Sequence, residues 1–330
     1  MRIALDAMGT DSAPESEIAG ALEALRDDPT LRVLLVGDTA AIEAVLDASG
    51  EYPRDRVEVV HAPDRITSAD SPAAAVRRKP NSSIVVGLRL QKEGKADAFV
   101  SAGSTGAVMA SSLFLLRSLP GVDRPAIGTL LPTAKRPALM LDAGANIDCK
   151  PQHLLQFARL GNIYAQDLMG IERPRVALLN IGEEPEKGNE LAVETHRLLA
   201  ASNLNFVGNV EGRDIIQGAC DVLVCDGFVG NVLLKFYESV ASFVIELLER
   251  ELEQTDTVIE LENVFRVIDY SEYGGAPLLG VNGVTIICHG QSTPKAIRNA
   301  IKVALQAVRS TMVSHIAREL AEATGTEEVV

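Results

Sequence analysis

The chain has 330 residues, of which 47% are hydrophobic and only 4% are aromatic. This composition suits one large α/β domain, because short aliphatic side chains fill the space between a parallel sheet and its helices. The formal net charge of -14 at pH 7 repels phosphate chains, so nucleic acid is not expected as a partner. The segment MRIALDAMG reaches Asp and Gly too soon for a signal peptide, and no apolar stretch is expected to reach the ~20 residues of a membrane span. We therefore expect a soluble, cytoplasmic protein.

Short apolar runs bounded by Gly, Asp or Asn recur along the chain and predict β-strands. Between most of these runs lie stretches with helical periodicity, for example residues 40–49 and 189–202. Strands that alternate with helices predict βαβ units, a mainly parallel sheet and a single domain over residues 1–330. AIGTLL and PALMLD are separated only by PTAKR, so these two runs could form a hairpin. The predicted strands are RIALDA, RVLLVG, VEVVHA, DAFVSA, AIGTLL, PALMLD, RVALLN, NFVGN, DVLVCD and VTIIC.

A long amphipathic helix is predicted from residue 229, where apolar residues recur in steps of four and three. The following stretch, residues 246–265, carries seven acidic residues and one Arg. Residues 236–270 are therefore expected to form a projecting helical segment. Thr293 and Pro294 predict the start of another long helix that closes the fold. The apolar stripe of the first helix comprises Val229, Leu233, Phe236, Val240, Phe243 and Leu247.

Six of the predicted strands lead into polar, glycine-containing segments. In open α/β sheets ligands bind beyond the carboxyl ends of the strands, and backbone amides at helix starts bind anions. Together these segments predict one crevice for a small anion, although an ordinary cap or turn would explain any one of them. The residues that open the six segments are Asp6, Ser101, Asp142, Asn180, Asp226 and Cys288.

The segment SAGSTGA, which begins at Ser101, is the strongest of these signals. Chain reversal needs one Gly or Asn, so a second Gly and three hydroxyl side chains indicate a ligand. The sequence contains neither GxxxxGK[ST] nor a GxGxxG that opens a βαβ unit, which disfavours a nucleotide.

Three further polar residues each have a structural alternative. Lys187 lies among four carboxylates and could be a solvated surface residue, and Asn231 could simply cap the long helix. His289 is either a buried histidine with satisfied hydrogen bonds or a base.

The four cysteines show no CxxC spacing, so we expect free thiols rather than metal ligands. No HExxH motif and no Ser-His-Asp order is present, which disfavours a metal hydrolase and a covalent nucleophile. We therefore expect neither a metal nor a cofactor. The cysteines are Cys149, Cys220, Cys225 and Cys288.

Seven motifs resemble, from end to end, the bacterial phosphate acyltransferases of phospholipid synthesis (acyl-acyl-carrier-protein:phosphate acyltransferases). The family usually has Gly at the position of Thr10, Asn at that of Ser104, and HGSS where this chain has HGQST. The motifs are DAMGTD, SAGSTGA, LDAGANIDCKPQHLLQFARLGNIYA, LNIGEEPEKGNE, CDGFVGNVLLK, DYSEYGGAPLLG and HGQST.

The resemblance implies transfer of a long-chain fatty acyl group from the acyl carrier protein thioester to inorganic phosphate. It also implies a homodimer with a Rossmann-like layered fold, similar to phosphotransacetylases and isocitrate/isopropylmalate dehydrogenases. The acyl phosphate would pass to a glycerol-3-phosphate acyltransferase. The projecting segment over residues 236–270 would serve dimer, acyl-chain or membrane contact, the last at the inner face of the membrane. A carrier protein is acidic, so a basic patch at Arg77, Arg78 and Lys79 is a candidate docking site, with a solvated face as the alternative.

By the same resemblance, Lys187 and Asn231 are the expected catalytic residues. Lys187 would neutralise phosphate or the developing oxyanion, and Asn231 would donate a hydrogen bond to one of them. The expected phosphate- or substrate-binding residues are Ser101, Gly103, Ser104, Thr105, Gly106, Asp142, Asn146, Asn180, Gly227, Gly230, His289 and Ser292.

Two alternatives remain open from the sequence. A short-chain phosphotransacetylase that uses coenzyme A would need the same anion crevice. A non-catalytic scaffold for lipid or carrier protein would not need polar strand ends.

Overall fold

The computed structural model describes residues 1–67, 69–252 and 274–327 of the chain. The chain divides into two compact units. Unit 1 consists of Met1–Pro125, Asp167–Gly170 and Gly274–Val330, and unit 2 consists of Ala126–Gln166 and Ile171–Tyr273. The prediction of a single domain over residues 1–330 stays a prediction.

The strands of the described residues follow the apolar runs of the sequence. They are, in chain order, β1 (Arg2–Asp6), β2 (Arg32–Gly37), β3 (Val57–His61), β4 (Ala98–Ser101), β5 (Ala126–Leu131), β6 (Ala138–Leu141), β7 (Val176–Leu179), β8 (Phe206–Val210), β9 (Val222–Val224), β10 (Ala276–Leu279) and β11 (Val284–Ile287).

The helices of the described residues mostly connect these strands, as βαβ units require. They are α1 (Glu15–Asp27), α2 (Thr39–Ala48), α3 (Pro72–Arg78), α4 (Ser83–Lys92), α5 (Thr105–Leu115), α6 (Pro151–Asp167), α7 (Glu190–Ala200), α8 (Gly212–Ile216), α9 (Gly227–Leu252), α10 (Pro294–Arg309) and α11 (Met312–Glu327), with a short 3-10 helix at Arg54–Arg56.

In unit 1 the strand order is β3-β2-β1-β4-β11-β10, and only the pair β10 and β11 is antiparallel. Ile3 is paired with Ala98, which is in turn paired with Val284, so β1, β4 and β11 run side by side in the same direction. Their carboxyl ends therefore lie at one edge of the sheet. Ile3 and Phe99 are fully buried in the core beneath them.

In unit 2 the strand order is β5-β6-β9-β7-β8. β5 and β6 form the antiparallel hairpin that the sequence suggested, with Gly128 opposite Leu141. The other neighbouring pairs are parallel, so β6, β9 and β7 also end at a common edge.

All ten predicted strands form, and the described residues contain one more strand, β10, which was not predicted. Pro277 weakens the strand signal of β10, because proline cannot donate to the ladder. Thr293 caps α10 by accepting a hydrogen bond from the amide of Ala296, and Pro294 is its first residue, as predicted. This predicted long helix is α10, and beyond it the chain breaks at Thr311 (φ 55°) and continues as α11, which was not predicted separately.

The predicted long helix is α9, and its apolar stripe is largely exposed in the single chain. Phe236 and Phe243 are 67% and 64% exposed. Residues 253–273, which include most of the acidic stretch and the end of the projecting segment 236–270, lie outside the described residues. The expectation that no stretch reaches the length of a membrane span is wrong, because Gly227–Leu248 is long and apolar enough by length and composition. Its charged pair, Lys235 and Glu238, lies within that stretch.

Candidate functional site

In unit 1 the loops after β1, β4 and β11 contact one another. The amide of Asp11 donates a hydrogen bond to the carbonyl of Gly290 over 2.8 Å. A Cβ atom at Gly9 would lie 2.8 Å from backbone atoms of Ala102 and Gly103, so the first loop packs directly on the second. Only glycine allows this approach. Three of the predicted polar strand ends therefore form one group in unit 1.

Asp6 is the buried centre of this group. Its Oδ2 accepts a hydrogen bond of 2.6 Å from the Ser101 hydroxyl, and its Oδ1 accepts one of 3.1 Å from the amide of Met8. The Ser101 hydroxyl in turn accepts a bond of 3.0 Å from the amide of Gly103. Burial raises the pKa of Asp6, although the bond from Ser101 opposes the rise. Ser101 thus holds the turn that precedes α5.

The start of α5 offers backbone amides rather than side chains. Ser104 precedes the helix, and its side chain makes no capping hydrogen bond. By contrast, Asp38, Ser82 and Thr293 each cap the helix that follows them. The first amides of a helix have no partner within the helix, so the start of α5 retains donors for an anion.

His289 and Ser292 follow β11 in the same group. His289 is exposed, so the alternative of a buried histidine is wrong. Its Nδ1 accepts a hydrogen bond of 3.2 Å from the amide of Gln291. Ser292 is buried, and its amide donates to the carbonyl of His289 over 2.9 Å.

Glu17 is a residue of this group that the sequence reasoning missed. It is fully buried on α1, where its carboxylate accepts bonds of 2.6 and 2.9 Å from the amide and the hydroxyl of Thr10. Burial raises the pKa of Glu17 to about 7. Its position in the first turn of an amphipathic helix gave no signal, because burial of this side chain depends on where the β1 loop folds.

In unit 2 the carboxylate of Asp142, which follows β6, organises the loop that comes after it. Its Oδ1 accepts bonds from the amides of Ile127, Gly144 and Ala145 over 3.0, 3.2 and 3.1 Å. Its Oδ2 accepts bonds from the amide and the side chain of Asn146 over 2.7 and 2.9 Å. Burial raises the pKa of Asp142, against these hydrogen bonds. Asp142 and Asn146 together fix the shape of this loop.

Two glycines let the start of α9 pack against that loop. A Cβ at Gly230 would overlap the carbonyl oxygen of Asp142, and one at Gly227 would lie 2.8 Å from its carboxylate. The amide of Gly227 also donates to the carbonyl of Asn146 over 2.7 Å. Gly227 and Gly230 are therefore needed for close contact between helix and loop.

Asn231 does not cap α9, so that alternative is wrong. Asp226 is the capping residue, since its Oδ1 accepts bonds of 2.9 and 3.0 Å from the amides of Phe228 and Val229. Asn231 lies in the next turn with an exposed side chain. A Cβ at Gly144 would lie 3.3 Å from Asn231, so its side chain stands beside the loop that Asp142 organises.

Lys187 is exposed, and its loop is held by Asn180. The Asn180 side chain donates to the carbonyl of Lys187 over 2.9 Å and accepts from the amide of Ile181 over 2.8 Å. Within the described part of the chain, none of the carboxylates near Lys187 in sequence forms an ion pair with it. These carboxylates are Glu183, Glu184, Glu186 and Glu190.

The loop of Lys187 and the start of α9 lie on the walls of one cavity. Its volume is about 620 Å³, and Asn180, Gly188 and Asp226 are among its lining residues. The predicted residues of unit 2 thus form a second group around the ends of β6, β7 and β9.

The sequence comparisons identify the family of the chain. A family model described as "Fatty acid synthesis protein" matches residues 1–315. Among the similar proteins, a phosphate acyltransferase from Desulforamulus reducens is 50% identical, and the match covers 99% of this chain and 100% of that protein. A phosphate acyltransferase from Heliobacterium modesticaldum is 52% identical over 96% of each chain. The chain belongs to the phosphate acyltransferase family.

Solved structures of phosphotransacetylases have the same fold as this phosphate acyltransferase family member. The TM-score is 0.62 with a phosphotransacetylase from Streptococcus pyogenes, which is 19% identical over 94% of each chain. It is 0.61 with EutD phosphotransacetylase from Staphylococcus aureus, which is 17% identical over 93% of this chain and 94% of that chain. At this identity the likeness concerns the fold alone, and it confirms the predicted Rossmann-like α/β class.

The cysteines of this family member are free thiols. Cys220, Cys225 and Cys288 are buried and Cys149 is half-buried. Burial raises the pKa of Cys220 and of Cys288 to about 12, and that of Cys225 well above its ordinary value. Such thiols are poor nucleophiles, because the thiolate is the reactive form. Among the described residues, no group of His, Cys, Asp and Glu side chains has the arrangement of a metal site.

The structure therefore places the predicted residues in two groups, one in each unit. The prediction of one crevice that contains both groups stays a prediction. The unit 1 group comprises Ser101, Gly103, Ser104, Thr105, Gly106, His289 and Ser292, and the unit 2 group comprises Asp142, Asn146, Asn180, Lys187, Gly227, Gly230 and Asn231.

Proposed function

We propose that this protein transfers a long-chain fatty acyl group from an acyl carrier protein thioester to inorganic phosphate. The observation that carries the proposal is membership of the phosphate acyltransferase family, with relatives half identical over almost the whole chain. Acyl transfer to phosphate is the reaction of that family. The long acyl chain and the carrier protein are the finer part of the proposal, supported by the description of the family as a fatty acid synthesis protein.

The reaction needs no covalent enzyme intermediate. A phosphate oxygen attacks the thioester carbonyl carbon, and the carbonyl oxygen becomes an oxyanion. The C–S bond then breaks, which yields acyl phosphate and the carrier thiolate, and the thiolate takes up a proton. The protein has to position the two substrates and stabilise the oxyanion. Buried, high-pKa cysteines are consistent with direct transfer.

The two groups of residues can supply these functions by different means. Lys187 is an exposed cation without a carboxylate partner among the described residues, so its charge is available to phosphate or to the oxyanion. Asn231 offers a side-chain amide at the start of α9. The free amides at the start of α5 suit an anion. Asp6 and Asp142 act as positioning residues, since their oxygens accept hydrogen bonds from the loops that they hold.

The proposed partners follow from charge and apolar surface. Arg77 and Arg78 are exposed and suit an acidic carrier protein, whereas Lys79 is paired with Asp70 over 2.8 Å. The outer part of the exposed stripe of α9, at Val240, Phe243 and Leu247, suits a second copy of the chain and peripheral contact with the inner face of the membrane from the cytoplasm. The acyl phosphate is proposed to pass to a glycerol-3-phosphate acyltransferase.

The central experiment is incubation of the purified protein with palmitoyl carrier protein, with and without phosphate and with a chelator. Phosphate-dependent formation of acyl phosphate that survives chelation supports the proposal. Activity only with acetyl coenzyme A would favour a short-chain phosphotransacetylase. Thioester that remains intact in phosphate would favour a non-catalytic scaffold.

The dimer has its own test, the double substitution of Phe243 and Leu247 by Glu. Charge on the exposed stripe should yield monomers or aggregates in sedimentation, because two carboxylates cannot be buried without partners. An unchanged, active dimer would contradict the assignment of this face.

A further inference from the structure

The cavity in unit 2 follows one face of α9 away from the strand ends. Val229, Val232, Leu233 and Phe236 line it, at spacings of three and four residues that keep them on the same face. From Phe228 to Phe236 the helix rises about 12 Å at 1.5 Å per residue. The cavity therefore extends along two turns of helix from the polar end of β9.

The part of the cavity lining that lies outside α9 is also mostly apolar. It includes Leu178 and Leu179 at the end of β7 and Leu191 and Ala192 on α7. The volume of about 620 Å³ lies within the range of roughly 300–1,000 Å³ that small-molecule sites occupy. A lining of aliphatic and aromatic groups suits a hydrocarbon and offers few partners to a polar ligand.

The polar lining residues belong to the candidate site itself. Asn180 and Asp226 follow β7 and β9, which are neighbouring parallel strands with Leu178 opposite Val224. Asn180 also binds the carbonyl of Lys187. One wall of the cavity is therefore continuous with the loop that carries the proposed catalytic lysine, as a substrate with one reactive end and one apolar end would require.

We infer that this cavity binds the fatty acyl chain of the substrate. The thioester carbonyl lies at the strand ends beside Asn180, and the hydrocarbon extends along α9 toward Phe236. This inference rests on the proposed function and adds the place where the acyl group is held. Burial of each methylene stabilises binding by about 0.8 kcal/mol, which corresponds to about fourfold in kcat/KM per methylene until the cavity is full.

Phe236→Glu is the variant that tests the inference, since it places a charge at the end of the cavity away from Asn180. Ser239→Glu on the same helix is the matched control, because Ser239 is exposed and does not line the cavity. We measure kcat/KM with octanoyl, lauroyl and palmitoyl carrier protein at saturating phosphate. Phe236→Glu should lose at least about tenfold with palmitoyl and much less with octanoyl, whereas the control should retain the chain-length profile of the original protein.

An equal loss at every chain length, or an unchanged profile in Phe236→Glu, overturns the inference. A change in mass by sedimentation without a change in profile also overturns it and assigns the cavity to a second copy of the chain. If Phe236→Glu does not fold, Val232→Trp replaces it, because Val232 is exposed and lines the same cavity.

Direct binding separates this inference from the proposed function. Palmitate should bind the original protein and Ser239→Glu and bind Phe236→Glu at least about tenfold more weakly, with octanoate as the short-chain control. If no thioester is consumed but this pattern is found, the proposed function fails and the cavity assignment stands. If thioester is consumed but palmitate binds both variants equally, the cavity assignment fails alone.

Discussion

The two strand-end groups of the molecule begin alike in sequence and end up offering different chemistry. The tripeptide Leu-Asp-Ala begins each group, and it places Asp6 at the end of β1 and Asp142 after β6. Asp142 accepts five hydrogen bonds, four of them from the loop that follows it. Asp6 accepts one from the hydroxyl of Ser101 on a neighbouring strand. Asp142 therefore shapes one loop, whereas Asp6 joins two.

The starts of the helices also differ between the units, because side chains cap two of them in unit 2 but none caps α5 in unit 1. In unit 2, Asp226 and Asn189 cap the helices that follow them, and the donors that we propose for a ligand are the exposed side chains of Lys187 and Asn231. In unit 1 the start of α5 has no side-chain cap and leaves its amides open. Substitutions should therefore affect activity strongly in unit 2 and weakly in unit 1.

Lys187→Ala should have the largest effect on turnover. Loss of one preorganised charge at the reacting groups should reduce turnover by about 10²-fold or more. Lys187→Arg should recover only part of the activity, since it keeps the charge but not the shape. The measurement is phosphate-dependent acyl transfer by folded variants, with Lys92→Ala as the exposed control. Turnover near that of the original protein in Lys187→Ala would remove this residue from the mechanism.

Glu17→Gln should change the pH dependence of stability. The folded-state pKa of about 7 lies above the ordinary 4.5, so the stability that protonated Glu17 contributes is present below about 4.5 and is lost as pH rises through 7. The size of this loss is on the order of 3 kcal/mol at 1.36 kcal/mol per pKa unit. Gln cannot ionise, so the stability of Glu17→Gln relative to the original protein should increase as pH rises.

Urea unfolding midpoints at about pH 5 and about pH 8 measure this change. Glu15→Gln on the same helix is the control, because Glu15 is exposed. Parallel pH profiles of Glu17→Gln and the original protein would show that the burial of Glu17 is not linked to its protonation.

Asn231→Ala should reduce turnover by about tenfold, the value of one hydrogen bond of roughly 1.4 kcal/mol. Ser239→Ala, further along α9 and exposed, serves as the control. Equal turnover in the two variants would leave Asn231 without a role in the reaction.

Ser104→Ala is the smallest expected effect, about twofold in turnover, because the side chain makes no capping bond and the backbone amides remain. A loss as large as that of Lys187→Ala would mean that the hydroxyl itself binds the anion. That result would end the distinction between amide donors in unit 1 and side-chain donors in unit 2.

Local pattern was sufficient to predict most of the fold. Apolar runs gave every strand except β10, whose Pro277 and flanking Gly275 hide the signal. The hairpin of β5 and β6 followed from a connection too short for a crossover. The break at Thr311 could not be read, since its left-handed backbone conformation is set by the packing of α10 and α11 rather than by a Gly.

The site was only partly predictable, because polar residues at strand ends can be recognised in the sequence but their hydrogen-bond partners cannot. The sequence pointed to Asp142 and Ser101 as ligand-binding residues. The structure shows that both form hydrogen bonds that fix the loops beside them. The role of Glu17 could not be predicted from the sequence, because its hydrogen-bond partner, Thr10, lies in another element. Asn231 was offered as a cap, and only the structure shows that Asp226 has that role.

The contact of Gly230 with the carbonyl of Asp142 limits how this gene can vary. Every missense change in a glycine codon adds at least a Cβ atom, and no such atom fits there. Exposed positions further along the same helix, such as Ser239 and Ser242, carry no such restriction. Mutational drift should therefore accumulate at such exposed polar positions of α9 while Gly230 stays fixed, so that a single helix records both fast and slow evolution.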